Sequence, residues 1–272
     1  MTPAPPPAAR TARFRAEYGA HRASEGRDYS RADLMALPYL ATGPLARQWS
    51  VRARSYDALV REVLAPMAAG CGAPLRILDL GAGNGWLCRR AALAGHRAVA
   101  LDLRDDHVDG LGAAAAYLES GPSLFHRVAA SFDAIPLRAR SFDVAIFNAS
   151  LHYALDLAGV LREAARATRS GGRLVVLDSP FYDAEADGTA MVAEKRATAT
   201  ERFGDRAEAL LALPFVEFLT RERLEAASDG LGLRWRRHRV RYPLWYELRP
   251  LAARLRRRRV PSRFDLWESS VP

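Results

Sequence analysis

From Ser50 onward the apolar positions recur in two rhythms. Val51, Tyr56, Leu59, Val60, Val63, Leu64 and Met67 return at intervals of three and four, which predicts an amphipathic helix closed by Gly70 and Gly72. Beyond it, short continuous apolar runs alternate with helical ones. Residues 75–80, 98–103, 124–128, 144–147 and 174–178 read as strands, and residues 86–93, 105–118 and 157–167 as helices. Gly171 and Gly172 stop the last of these helices. Alternation of this kind, with strands apolar on both faces, predicts an α/β fold whose parallel sheet is covered on both sides.

The two ends of the chain follow other patterns. Residues 1–50 show no clean period: a Pro/Ala lead, expected to be partly disordered, precedes polar and aromatic residues. Thr220 is a suitable N-cap for a helix to about Ser228, which Gly230 and Gly232 end. Residues 233–242 alternate Arg with Trp, His, Val and Tyr, as a half-exposed strand does, and residues 264–271 suit a last strand. Residues 179–219, with helical pieces at about 190–203 and 206–211, are too long for a simple connection and read as a cap over a pocket. The domain division is therefore an N-terminal extension and candidate lid over 1–50, then one domain over 51–272 with that insertion.

Composition narrows the class. With 272 residues, 49% apolar and 26% charged, the chain is sized for one substantial core, which excludes wholesale disorder and a disulfide mini-scaffold. No apolar run is long enough to span a membrane, and the first residues lack a signal-peptide core. Two cysteines, Cys71 and Cys88, form no CxxC pair, which fits a reducing cytoplasm. The net charge of +9 says less than it first suggests, because Lys195 is the single lysine among forty basic residues, a sign of GC-rich coding.

The candidate chemistry begins at Ile77-Leu78-Asp79-Leu80-Gly81-Ala82-Gly83-Asn84-Gly85-Trp86, a buried strand running into a glycine turn that opens a helix. Glycines let the backbone approach a ligand there, and the helix start offers free N–H groups. The next strand ends at Asp102, whose carboxylate can accept both hydroxyls of a ribose. A dinucleotide fingerprint would need glycine where Trp86 stands. A pyrophosphate would also be repelled by Asp79, whereas a ligand bearing an ammonium and a sulfonium would not.

In these features the chain resembles the class I S-adenosylmethionine-dependent methyltransferases, particularly the small-molecule group that includes ubiquinone and menaquinone biosynthesis enzymes. The resemblance covers about residues 50–178 and rests on five ordered motifs: the glycine motif, Asp102, Ser131-Phe132-Asp133-Ala134-Ile135-Pro136, the run from Ser141 to Tyr153, and Ser170-Gly171-Gly172-Arg173-Leu174. It implies a doubly wound, seven-stranded, mostly parallel sheet of the Rossmann-like type with a helical lid. It also implies S-adenosyl-L-methionine as methyl donor and S-adenosyl-L-homocysteine as product. By the same resemblance Gly81 and Gly83, with Ala82 between them, would pass close to the methionine moiety, and Asp79 would support its ammonium. Asp102 would hold the ribose, Leu103 would pack on adenine, Ser131 and Phe132 would flank it, and Asn148 would close the methionine side. Arg54 or Tyr56 would meet the donor's carboxylate. His152, after the fourth strand, is the leading candidate for a general base, with Tyr153 beside it and Asp178 and Tyr182 behind.

The expected acceptor is a small or medium organic molecule with an O, N or C nucleophile, and no residue cluster has metal-ligand spacing. Two alternatives stand beside it. Twelve arginines between Arg234 and Arg263, interleaved with Trp235, Trp245 and Tyr246, suit an RNA methyltransferase or contact with an anionic membrane surface. Against a nucleic-acid partner, there is no separate RNA-binding module, and Asn148 is followed by Ala149-Ser150 rather than by the proline-aromatic motif of base-amine methyltransferases. A solvated face in an arginine-biased chain is preferred over both. The other alternative is a donor-binding protein without catalysis, which turnover would distinguish.

Overall fold

The computed structural model describes residues 7–120 and 124–272. Its centre is one seven-stranded sheet in the order β3-β2-β1-β4-β5-β7-β6. The strands are β1 Arg76–Leu80, β2 Arg97–Asp102, β3 His126–Ala129, β4 Phe142–Asn148, β5 Thr168–Leu177, β6 Arg236–His238 and β7 Leu266–Ser270. The first five run parallel, while β7 lies antiparallel between β5 and β6. The seven strands and the mostly parallel sheet match the expected architecture.

Successive side chains of a strand point to opposite faces, so the sheet builds two cores. On one face Ile77, Val144, Ile146 and Val175 join Trp49, Leu59, Leu87 and Tyr246. On the other, Leu78, Leu80, Ala145, Phe147 and Val176 meet Val160, Leu161 and Ala164. The last three lie on helix Leu157–Ala167, whose bounds coincide with the sequence pattern, as do those of Trp86–Leu93.

Elsewhere the structure departs from the pattern for identifiable reasons. The helix expected at 51–67 starts earlier, as Ala46–Leu59, widens into a π turn over Val60–Leu64 and resumes as Ala65–Cys71. Pro66, in the first turn of the resumed helix, lacks the N–H that would close a regular turn onto Glu62. No α-helix forms at 105–118. Asp106 instead turns its carboxylate onto the N–H groups of Val108 and Asp109, and the chain continues as a 3-10 helix over Leu111–Ser120. A Cβ at Gly112 would lie 2.6 Å from the Asp105 carbonyl oxygen, so this tight turn accepts only glycine there. The strand expected at 233–242 shrinks to β6, because Pro243 opens the short helices Leu244–Glu247 and Arg249–Leu255. Thr220 does cap its helix, Arg221–Ala227, accepting from the Arg223 N–H.

The N-terminal segment is more ordered than its pattern suggests. Residues 1–6 of the Pro/Ala lead lie outside the described residues, but the rest forms helix α1, Pro7–Ser24. Phe14 of α1 packs with Leu210 and Leu213, and Arg13 pairs with Glu208 at 3.1 Å. The 179–219 segment that supplies these partners folds as Glu185–Ala197, Ala199–Phe203 and Ala207–Leu210 with a 3-10 turn between the last two. No helix among the described residues is long and apolar enough to cross a membrane.

Candidate active site

All five parallel strands end along one edge of the sheet, and two adjoining cavities open there. The first, about 410 Å³, lies over the turn that follows β1. Gly81 (φ 78°) and Gly83 (φ 53°) both occupy the left-handed region. A Cβ on Gly81 would sit 2.4 Å from the Ser150 Cβ, so the close approach itself requires glycine. The turn is held to the next strand by the N–H groups of Gly81 and Ala82, which donate to the Leu101 carbonyl at 2.8 and 3.1 Å.

Asp102, at the end of β2, is fixed from both sides. Its carboxylate accepts from the Gly83 N–H at 2.7 Å and the Arg104 N–H at 2.8 Å. Burial nonetheless keeps its pKa above the ordinary value, the N–H groups only partly offsetting that cost. Leu103 follows it in the wall. Opposite, Phe132 stands edge-on to Phe147 with ring centres 6.0 Å apart. Ser131 turns its hydroxyl to Asp133, which also lines the cavity. Asn148 closes another side, with its buried Oδ1 lacking a hydrogen-bond partner among the described residues.

Of the residues expected at this site, Gly81, Ala82, Gly83, Asp102, Leu103, Ser131, Phe132, Asn148 and Tyr153 all line the first cavity. Asp79 does not. It lies fully buried behind the glycine turn, with the Cys88 thiol 3.8 Å from Oδ2 and with Oδ1 unpartnered. Burial, and next the Asp102 charge, push its carboxyl up to about 8. Arg54 is exposed and Tyr56 is buried against Trp86; the residues of that helix in the wall are Trp49 and Arg52.

The pattern also missed the contribution of α1. Its Tyr18 and Arg22 line the first cavity. Arg22 pairs with Asp109 at 2.7 Å, and Asp109 accepts from the Asn84 side chain at 3.0 Å. This chain of contacts ties α1 to the glycine turn.

The matching family model, described as a methyltransferase domain, covers residues 78–176, from within β1 to within β5 and so across every loop just described. Residues 78–176 form a methyltransferase domain of the S-adenosylmethionine-dependent kind. A curated relative, the malonyl-[acyl-carrier protein] O-methyltransferase of Erwinia pyrifoliae, is 33% identical over 107 residues, 38% of this chain and 37% of that one. The chain spans less than half the length of the curated relatives it matches. Among solved structures, the 1,6-didemethyltoxoflavin-N1-methyltransferase of Burkholderia thailandensis, with 1,6-didemethyltoxoflavin and S-adenosylhomocysteine bound, is 18% identical. It covers 100% of this chain and 92% of that one at a TM-score of 0.55. The magnesium protoporphyrin IX methyltransferase of Synechocystis, with S-adenosylmethionine bound, is 13% identical over 95% and 97% of the two chains, also at 0.55. These three are named for three different acceptors, none of them a quinone.

The second cavity of this methyltransferase domain, about 630 Å³, shares Tyr18, Arg22, Arg52, Ala149 and Tyr153 with the first. His152 lines it rather than the first, and its Nδ1 shares a hydrogen bond with the Ser179 hydroxyl at 3.3 Å. Burial, then Lys195, Arg52 and Arg22, drive the imidazole down to about 3, so it is neutral at pH 7. Tyr153 shares a 2.8 Å hydrogen bond with Tyr18, and burial raises its pKa well above the usual phenol value. Asp178, just past β5, also lines this cavity. Ser55 donates to its Oδ1, Tyr242 lies 3.0 Å from that same hydroxyl, and Oδ2 is buried without a hydrogen-bond partner among the described residues. Burial holds Asp178 at about 6, with Arg52 and Ser55 opposing the rise. Tyr182 lines neither cavity; it packs on Phe218 and accepts from Arg259.

Proposed function

We propose that the chain is an S-adenosylmethionine-dependent methyltransferase acting on a small or medium organic acceptor held in the second cavity. The observation that carries the reading is Asp102 fixed between two backbone N–H groups beside a glycine-only turn. A carboxylate so held keeps lone pairs free for the two hydroxyls of a ribose. The remaining walls fit the rest of the donor: the unpartnered Asn148 Oδ1, with the Asp79 carboxyl behind the turn, suits an ammonium, Arg52 or Arg22 a carboxylate, and Phe132 with Leu103 a purine face. The donor supplies a methyl group already activated by its sulfonium, so the protein's task is positioning and exclusion of water.

Helix α1 and the 179–219 segment act as the lid, since Phe14, Tyr18, Leu213 and Phe215 complete the wall of the first cavity. Where the acceptor arrives protonated, Asp178 takes the proton. Its pKa near 6 suits neutral pH, whereas an imidazole held near 3 is too weak a base. That moves the base from His152, the leading candidate on sequence, to a carboxylate one strand away. Tyr153 keeps its proton and orients. The two unpaired cysteines suit a reducing, cytoplasmic setting.

Calorimetry with S-adenosylhomocysteine tests the reading. Wild type should bind it, and Asp102→Ala should lose about 1.5–3 kcal/mol, roughly 10- to 150-fold in affinity. No binding by wild type, or unchanged affinity in the variant, would sink the assignment.

A further inference from the structure

The second cavity carries positive charge that the protein leaves unneutralised. Five arginines line it, Arg22, Arg27, Arg47, Arg52 and Arg249, against one acid, Asp178. Two of them are answered by carboxylates: Arg22 by Asp109, and Arg27 by Glu25 at 3.2 Å. The other three form no ion pair among the described residues. Arg47 lies 4.0 Å over the Trp245 ring, Arg52 5.0 Å over Trp49, and Arg249 4.3 Å over Tyr246.

Coding bias alone does not explain this arrangement. Arginines spread by composition collect where water solvates them, as exposed Arg256, Arg257 and Arg258 do. A cation withdrawn from water without a counter-charge costs free energy, as for the part-buried Arg52 and Arg249, beside which Arg47 stays exposed. Here three guanidinium groups without an ion pair among the described residues, each 4.0–5.0 Å over an aromatic ring, line one hollow large enough for a small molecule. The paired N–H donors of a guanidinium match the paired oxygens of a carboxylate or phosphate.

We propose that the second cavity selects an anionic aromatic acceptor, its carboxylate or phosphate on Arg47 and Arg249 and its ring against Tyr18 and Phe264. Arg47 and Arg249 line the second cavity alone, whereas Arg22 and Arg52 also line the first. The anion therefore meets residues that the methyl donor does not need. This inference names the acceptor class for the methyltransferase reading and rests on that reading for its meaning.

The test uses 2-naphthoate, 2-naphthyl phosphate and neutral 2-naphthol in calorimetric titrations, with and without S-adenosylhomocysteine. At least one anion should bind at least about tenfold tighter than naphthol, and the tighter of the two tells carboxylate from phosphate. In Arg47→Gln/Arg249→Gln that preference should fall by at least about tenfold, while S-adenosylhomocysteine affinity stays within about twofold. The single variant of exposed Arg47 should lose part of the preference and guards against a folding defect in the double variant. Naphthol binding as tightly as either anion, a preference unchanged in both variants, or no binding of any of the three overturns the proposal. Anion selectivity in a protein that does not bind S-adenosylhomocysteine would support the cavity's ligand class while sinking the methyltransferase assignment.

Discussion

At the amino ends of the strands, Asp143 accepts four hydrogen bonds: from the Arg76 N–H at 2.7 Å, from Arg76 Nε and Nη2 at 3.1 Å each, and from Arg169 Nε at 2.6 Å. Burial alone would raise its pKa, but these bonds outweigh it and hold the carboxyl at about 2. At the carboxyl ends of the same sheet, Asp79, Asp102 and Asp178 are buried as well, yet all three have pKa values above the ordinary one. Asp79 and Asp178 each retain an oxygen without a hydrogen-bond partner among the described residues. One residue type in one sheet thus serves two purposes. Where every lone pair is used inside the chain, the carboxylate fastens β1, β4 and β5 together; where lone pairs are left over, ionisation is costly, and a cationic ligand would lower that cost.

The largest test of this contrast is Asp143→Ala. Losing charged hydrogen bonds and leaving Arg76 and Arg169 without their acceptor should cost about 2–3 kcal/mol in urea denaturation. Affinity for S-adenosylhomocysteine should be spared. Because the folded pKa lies below the unfolded one, the wild-type advantage is complete above the ordinary carboxylate pKa and is lost as pH falls through about 2. A variant as stable as wild type at pH 7 would show that the pairing adds nothing.

Asp79→Asn should act in the opposite direction, and less strongly. The folded carboxyl, near 8, holds its proton more tightly than the unfolded one, so wild type loses stability as pH rises from about 4 to about 8. Between pH 7 and pH 8 the variant should therefore gain about 1 kcal/mol on wild type. Parallel denaturation curves at the two pH values would remove Asp79 from the comparison.

The smallest effect belongs to charge at neither end. Arg259 is tied to Glu194 at 2.7 Å and to the Tyr182 hydroxyl, but its three predecessors in the run are exposed. Replacing Arg256, Arg257 and Arg258 by Gln should change stability by less than about 0.5 kcal/mol. A gel-shift titration should show no salt-dependent RNA complex for either protein. Such a complex with wild type, lost in the variant, would give the tail a partner that the sheet does not explain.

The strands and the glycine turn were legible because both arise from short-range chemistry. Continuous apolar runs announce a sheet buried on two faces, and Asp102 follows Gly83 at the spacing of one strand–helix–strand unit. What remained hidden depends on distant parts of the chain. Arg22 reaches Asp109 across 87 positions and Tyr18 reaches Tyr153 across 135, and neither pairing leaves a periodic trace. Arg52 was missed in favour of Arg54 through helix phase. Trp49 and Arg52, three apart, look into the first cavity, while Arg54 points to solvent. His152 follows the fourth strand, but its low pKa comes first from burial and then from Lys195, Arg52 and Arg22, surroundings that only the folded chain supplies.

Helix α1 is fastened by few buried side chains: Phe14 against Leu210 and Leu213, the Tyr18 hydroxyl, and the Arg22 carboxylate pair. The sheet beneath it is locked by two continuous cores. Local opening free energy follows such differences, so hydrogen exchange should be faster in α1 than in any strand of the sheet. The same wall serves both cavities, through Tyr18 and Arg22. Displacing this one helix would therefore widen both at once.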